Sequence, residues 1–294
     1  MRVLVTGASG QLGGYLLREL AARNVETVAW SGSRRGSLFG ADLRPVDLAD
    51  RNAVAAAFRQ ARPDVVIHAG ALARVADCFR EPERARLVNS QGSAWITELA
   101  AETEVRLLHI STDLIFDGER GNYREDDAPA PLSVYGRTKA DAETAVRSAP
   151  RTLVVRMSLL FGTSVVGRPT FFDEQVTAAR NGKPIALFAD EWRTPLSLKT
   201  AASALVALAQ SKEAGILHLG GPERMSRLEM GERLAAFLGV CPSFIRAVRR
   251  GEAPSEEARP RDTSLDSSGW RALYPDHPWP SWEAALAEFF DSSC

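Results

Sequence analysis

Arg2 to Thr6 (RVLVT) is a short apolar strand pattern that runs without a break into Gly7-Ala8-Ser9-Gly10-Gln11-Leu12-Gly13, and an amphipathic segment continues to about Arg23. Strand, glycine turn and helix in immediate succession leave few folds open. A tight turn falls at Gly7, Gly10 lets a pyrophosphate approach the backbone, and Gly13 lets the helix pack closely on the sheet. The unpaired N–H groups at the helix start, around Gln11 and Leu12, then face the phosphates. The stretch predicts a dinucleotide-binding strand–turn–helix at the front of the chain.

Strands and helices go on alternating beyond Arg23. A second strand spans Glu26 to Trp30, a third ends at Asp47-Leu48, and Asp50 is placed to cap a helix over Asn52 to Ala61. Val65 to His68 is apolar and ends in Ala69-Gly70-Ala71, small residues that leave room for a ligand at a strand's carboxyl end. His68 reads as a packed strand residue. A helical segment covers about Glu83 to Thr103, and another strand Val105 to Ile110. Alternation through Met157 predicts an α/β fold with a doubly wound parallel sheet of the Rossmann kind. After the second strand, where an acid would hold the ribose 2′-hydroxyl of NAD, the chain reads Ser31-Gly32-Ser33-Arg34-Arg35. Ser31, Arg34 and Arg35 suit a 2′-phosphate, so NADP(H) is preferred and NAD(H) is the fallback.

Ser111-Thr112-Asp113 ends the strand from Val105, and hydroxyls there point to the crevice where such sheets bind ligands. Tyr135 and Lys139 stand four apart in a helix-forming stretch, so they share one helix face. A tyrosine titrates near ~10, too high for facile proton release, and a neighbouring cation lowers that value. A shift of ~2 to 3 units, worth about 3 to 4 kcal/mol, would bring the phenol towards the range of a working acid or base.

Past Ser158 the pattern loosens: helix over Phe171 to Arg180, strand over Ile185 to Phe188, helix over Leu198 to Gln210, strand over Ile216 to Leu219. Ser226 and Glu229 form a capping-box pair opening a helix to Leu238, and a last helix lies near Trp282 to Phe290. Residues 1–157 are expected to form the dinucleotide-binding domain, with 185–210 returning to it. Residues 158–294 are expected to be mainly a smaller α+β substrate-binding part, with the tryptophan-rich tail packed as core. A net charge of −1 gives no overall bias towards nucleic acid or membrane. No apolar run reaches the ~18 residues of a membrane span, and the chain opens directly on a strand rather than a secretory signal. Cys78, Cys241 and Cys294 lack metal-ligand spacing, which predicts no metal site and a reduced, cytoplasmic protein. The expected partner is a small-molecule substrate, with a homodimer allowed.

Together, TGASGQLG (6–13), STDLIFDG (111–118), PLSVYGRTK (131–139) and RPRDTSLD (259–266) resemble the extended short-chain dehydrogenase/reductases, and more narrowly the dTDP-4-dehydrorhamnose reductase branch. That branch also contains the regulatory β subunit of methionine adenosyltransferase, to which residues 123–139 are at least as similar. The resemblance implies that Tyr135 donates a proton to a keto oxygen while NADPH delivers hydride. It implies that Lys139 holds the nicotinamide ribose and lowers the Tyr135 pKa, and that Thr112 hydrogen-bonds the substrate oxygen. It also puts Asp113 and Arg261 on the substrate side. Departures stand at Ala76 and Phe79, where acidic residues are usual, at Leu114 for a tyrosine and at Leu159 for a tryptophan.

The leading reading is an NADPH-dependent reductase of a 4-keto nucleotide sugar or related carbonyl. A non-catalytic NADP-binding partner subunit shares the same fold and cofactor site. A nucleotide-sugar epimerase would use the same Tyr135 and Lys139 with tightly held NAD, against which the missing acid after the second strand argues.

Overall fold

The computed structural model describes residues 1–253 and 255–290, so Cys294 lies outside the described residues. The first half runs β1 (Arg2–Thr6), α1 (Gln11–Ala22), β2 (Glu26–Ser31), β3 (Ser37–Leu38), β4 (Ala41–Pro45), α2 (Arg51–Ala61), β5 (Val65–His68), α3 (Val75–Arg80), α4 (Pro82–Ala85), α5 (Gly92–Glu102), β6 (Arg106–Thr112), α6 (Val134–Arg147) and β7 (Thr152–Met157). The second half runs β8 (Leu160–Phe161), α7 (Phe171–Asn181), β9 (Ile185–Phe188), β10 (Trp192–Arg193), β11 (Leu196–Ser197), α8 (Leu198–Ala209), β12 (Gly215–Leu219), β13 (Met225–Ser226), α9 (Arg227–Phe237), β14 (Ile245–Val248), α10 (Ser268–Leu273) and α11 (Trp282–Phe290).

Eight strands form one sheet in the order β12-β7-β6-β5-β1-β2-β4-β3, parallel except for the β3–β4 pair. Period-two alternation sorts its side chains between two layers. Val3 and Val5 face α1 and α8, whereas Leu4 faces α2 and α5; Ile67 and Val66 divide in the same way on β5. Burial on both faces explains why these strands read as nearly continuous apolar runs.

Two elements differ from expectation. The third strand ends at Pro45, short of Asp47-Leu48, because Asp47 turns the chain: its Oδ1 accepts from Ala49 N–H and its carbonyl from Asp50 N–H. Asp50 then caps α2 through the N–H groups of Asn52 and Ala53. The helical segment expected over 83–103 is interrupted by a π-helical turn over Arg86–Gln91, which carries the buried Asn89 side chain inward. Within 158–294, β12 joins the main sheet beside β7. Of the stretch 185–210, α8 packs on α1 and the main strands, whereas β9 pairs with β14 in a separate small sheet.

The remaining elements gather around Phe161, Phe172, Met230 and Trp282, with Trp282 4.3 Å from the Phe161 ring. Trp270 is fully buried and stacks on Tyr274. The aromatic tail is therefore packing. Ser226 and Glu229 form the expected capping box at α9. No helix among the described residues is long and apolar enough to cross a membrane.

Candidate active site

The strand order reverses between β1 and β5. At the carboxyl ends of the strands a cleft of about 600 Å³ opens, where doubly wound sheets take their ligands. Gly7, Gly10, Gln11, Leu12 and Gly13 line it from the first turn, Ser31 from the end of β2, and Asp47 and Leu48 from the loop after β4. Ala69, Gly70 and Ala71 line it after β5, and Thr112, Tyr135 and Lys139 complete the wall.

The glycine turn is built by sterics. Gly7 sits at φ +67°, and a Cβ there would come within 2.7 Å of the Ala69 carbonyl. A Cβ on Gly13 would meet the Gly7 carbonyl at 2.2 Å, so this glycine seats α1 on its own turn rather than on the sheet. Gly10 is the extended residue before α1, and no side chain caps the helix there. An uncapped helix start opening into a cleft is a ready anion cradle.

Tyr135 and Lys139 reach the cleft because α6 lies close to the turn after β6. Ser133 caps α6 through Gly136 N–H at 3.1 Å, and a Cβ on Gly136 would lie 2.2 Å from the Leu114 carbonyl. That approach sets the Tyr135 hydroxyl beside Thr112. Burial pushes the Tyr135 phenol well above its ordinary value, reinforced by the Asp113 carboxylate and opposed by a hydrogen bond with Thr112. The expected lowering by Lys139 is absent: the ammonium turns towards the sheet, donating to the Ile110 carbonyl at 2.6 Å and to His109 Nε2 at 3.1 Å. Burial also pulls Lys139 itself down to about 8.

Four predicted positions stand outside the cleft wall. The Arg34 guanidinium donates to the Val166 carbonyl at 2.7 Å, and Arg35 is exposed to solvent. Asp113 is buried beneath the site, accepting from Thr263 Oγ1 at 2.6 Å and Ser158 Oγ at 3.4 Å, with Arg193 at 3.6 Å. Burial raises its pKa against those partners. Arg261 donates to the Glu119 carbonyl on the outer surface. Leu159 packs on the Phe161 cluster. Ala76, Phe79 and Leu114, in contrast, line a second cavity of about 350 Å³ together with Leu132, Glu191, Arg193, Glu257 and Arg259. Segments 73–76, 112–114 and 133–135 border both spaces.

Sequence reasoning missed Arg168 and Arg84. Arg168 donates to the Ser9 carbonyl at 3.1 Å and accepts from Gln11 Nε2 at 2.6 Å through its own carbonyl, so the 168 loop closes over the glycine turn. Arg84 pairs with Asp47 at 2.8 Å on the cleft rim. Neither stands in a motif, and no local signal marks them. Asn89 carries no sequence signal beyond its place in a helical segment. Its amide bridges Leu72 and Thr138 Oγ1, tying the loop after β5 to α6. His68 is held by Thr6 Oγ1 and Ser93 Oγ as a packed strand residue.

Among known proteins, the profile of the RmlD substrate binding domain matches residues 1–294. The chain is 32% identical to a dTDP-4-dehydrorhamnose reductase of Streptomyces griseus, over 100% of this chain and 94% of that one. It is 31% identical to methionine adenosyltransferase 2 subunit beta of Pongo abelii, over 92% and 82% of the two chains. The fold superposes on a dTDP-4-dehydrorhamnose reductase of Bacillus anthracis crystallised with NADP, with TM-score 0.88, 24% identity and 99% coverage of each chain.

Proposed function

The chain belongs to the RmlD substrate binding domain family of extended short-chain dehydrogenase/reductases, and from that premise we propose that it is an NADPH-dependent reductase of a 4-keto nucleotide sugar. The observation that carries this reading is the meeting of Thr112, Tyr135 and Lys139 in the same cleft as the uncapped start of α1. Gly10 to Leu12, at the uncapped start of α1, would hold the pyrophosphate of a nicotinamide cofactor, which would supply the hydride. Tyr135 holds a proton at its hydroxyl and releases it to the carbonyl oxygen as that oxygen becomes an alkoxide. Burial keeps the phenol protonated at neutral pH. An alkoxide is about as basic as hydroxide and far more basic than a phenolate, so it takes the proton readily. Thr112 orients the carbonyl oxygen and Lys139 the nicotinamide ribose. The wall of Ala76, Phe79 and Leu114 supports a sugar with an apolar face there, since these side chains offer no hydrogen bonds to hydroxyls.

The test is NADPH oxidation against a panel of keto sugar nucleotides. Turnover of at least one is expected, with calorimetry giving tighter binding for NADPH than for NADH. Replacing both Arg34 and Arg35 by alanine is expected to shrink that preference, chiefly through Arg35, whose exposed guanidinium is free to swing to a 2′-phosphate. A second reading, a non-catalytic partner subunit, draws on the 31% identity to the methionine adenosyltransferase subunit. Tight NADPH binding with no carbonyl turned over would favour it and sink the first.

A further inference from the structure

His109 lies in the middle of β6, fully buried between aliphatic neighbours Leu108 and Ile110. Lys139 Nζ is 3.1 Å from His109 Nε2 and 2.6 Å from the Ile110 carbonyl. An ammonium has only donors, so Nε2 must accept and the ring proton must sit on Nδ1. That Nδ1 is itself buried without a protein partner among the described residues. A buried donor left this way is costly, and an aliphatic side chain at 109 would avoid the cost. The arrangement is therefore explained by what Nε2 does for Lys139. Two of the three ammonium protons are committed beneath the cleft floor, which leaves the third for the cleft that Lys139 lines.

We propose that His109 is a positioning residue for Lys139: its neutral ring, kept as the Nδ1–H tautomer, fixes the ammonium, keeps it charged and aims one N–H into the cleft. The role rests on the reading of Lys139 as the residue that holds the cofactor ribose. The Glu143 carboxylate raises the Lys139 value through its charge, but among the described residues no titratable side chain other than His109 accepts a hydrogen bond from the ammonium. His68 of β5, with its ring 5.3 Å from His109, has both nitrogens engaged by Thr6 and Ser93. Glu143, one turn further along α6, is bound by Arg156 of β7 and Ser111. Tyr135 stays a neutral phenol, and Asp113 and Cys78 face Tyr135 rather than the ammonium. Burial and the Lys139 charge hold both imidazoles neutral, His68 at about 3.

The role can be read without cofactor or substrate. The lysines are Lys139, Lys183, Lys199 and Lys212, so Lys139→Arg identifies the Lys139 Cε signal in carbon NMR. In His109→Leu the Lys139 titration is expected to move down by about one pH unit, the loss of one hydrogen bond to the charged form. His109→Gln, whose amide oxygen can replace Nε2 as acceptor, should recover most of that shift. A merely structural role would lower stability and leave the Lys139 midpoint in place. Nitrogen NMR on the unmodified protein should show the Nδ1–H tautomer at His109, which decides the matter even if the leucine variant does not fold. An Nε2–H tautomer, or a Lys139 midpoint unmoved in His109→Leu, overturns the proposal. Failure of the unmodified protein to bind NADPH would instead strike the functional reading, because the Lys139 titration needs no cofactor.

Discussion

Two side chains carry most of the proposed chemistry, and the same burial that positions them opposes their charged forms. Tyr135→Phe removes one hydroxyl and keeps the ring, so NADPH affinity should hardly change. Turnover should fall at least about a hundredfold, the low end of what general acid catalysis supplies. Steady-state kinetics beside calorimetry checks both halves, and unchanged turnover would remove Tyr135 as the proton donor. Lys139 invites a different measurement. Its folded value of about 8 lies below the ordinary 10.5, so between those values the unfolded chain binds more protons and stability rises with pH. Below pH 8 the full cost of burying the charge is present, on the order of 3 kcal/mol. Lys139→Met lacks this titration. Its stability advantage over the unmodified protein should be largest below pH 8 and shrink towards pH 10.5, as read from denaturant midpoints. A constant difference across that range would show that Lys139 titrates normally.

At the scale of elements, α6 is the part that converts packing into a site. Its first turn is fixed by the Ser133 cap, and Gly136 lets it approach the Leu114 carbonyl more closely than any side chain allows. Gly136→Ala places a methyl 2.2 Å from that oxygen. Overpacking of this kind typically costs about 1 to 3 kcal/mol, although alanine gains ~1 kcal/mol in helix propensity. The net expectation is a lowered melting temperature together with weaker turnover, because a shifted α6 carries Tyr135 away from Thr112. Full activity and unchanged stability would show that the close approach is not required. The π-helical turn at Arg86–Gln91 serves the same end from the other side, since it lets Asn89 reach both Leu72 and Thr138.

For the molecule as a whole, Asp113 is the joint between the sheet and the elements beyond Met157. It gathers Ser158, Arg193 and Thr263 from three separate segments. Removing one partner of a buried ion pair strands the other, commonly at a cost of about 3 to 5 kcal/mol. Asp113→Ala should therefore lower the unfolding free energy by about 3 kcal/mol in a denaturant titration. Arg261→Ala, on the exposed surface, should stay within about 0.5 kcal/mol. Equal effects from the two would mean that Asp113 does not join the halves.

The amino-acid sequence by itself determined what depends on near neighbours along the chain. The glycine turn, the caps at Asp50 and Ser226 and the shared face of Tyr135 and Lys139 all follow from sterics, hydrogen bonding and helical period within a few residues. The alternation of strand and helix segments likewise pointed to the parallel sheet through β7. Tertiary structure alone decided what depends on distant residues and on burial. Arg168 meets Ser9 across 159 positions, and Asp113 meets Thr263 across 150. Arg34 turns to the Val166 backbone, and β12 returns to the sheet after a long excursion. The direction of the Tyr135 shift was unreadable for the same reason. A helical spacing of four puts a cation near a phenol, but which of them faces the sheet, and how far water is excluded from each, is settled only when β6 and α6 close over them.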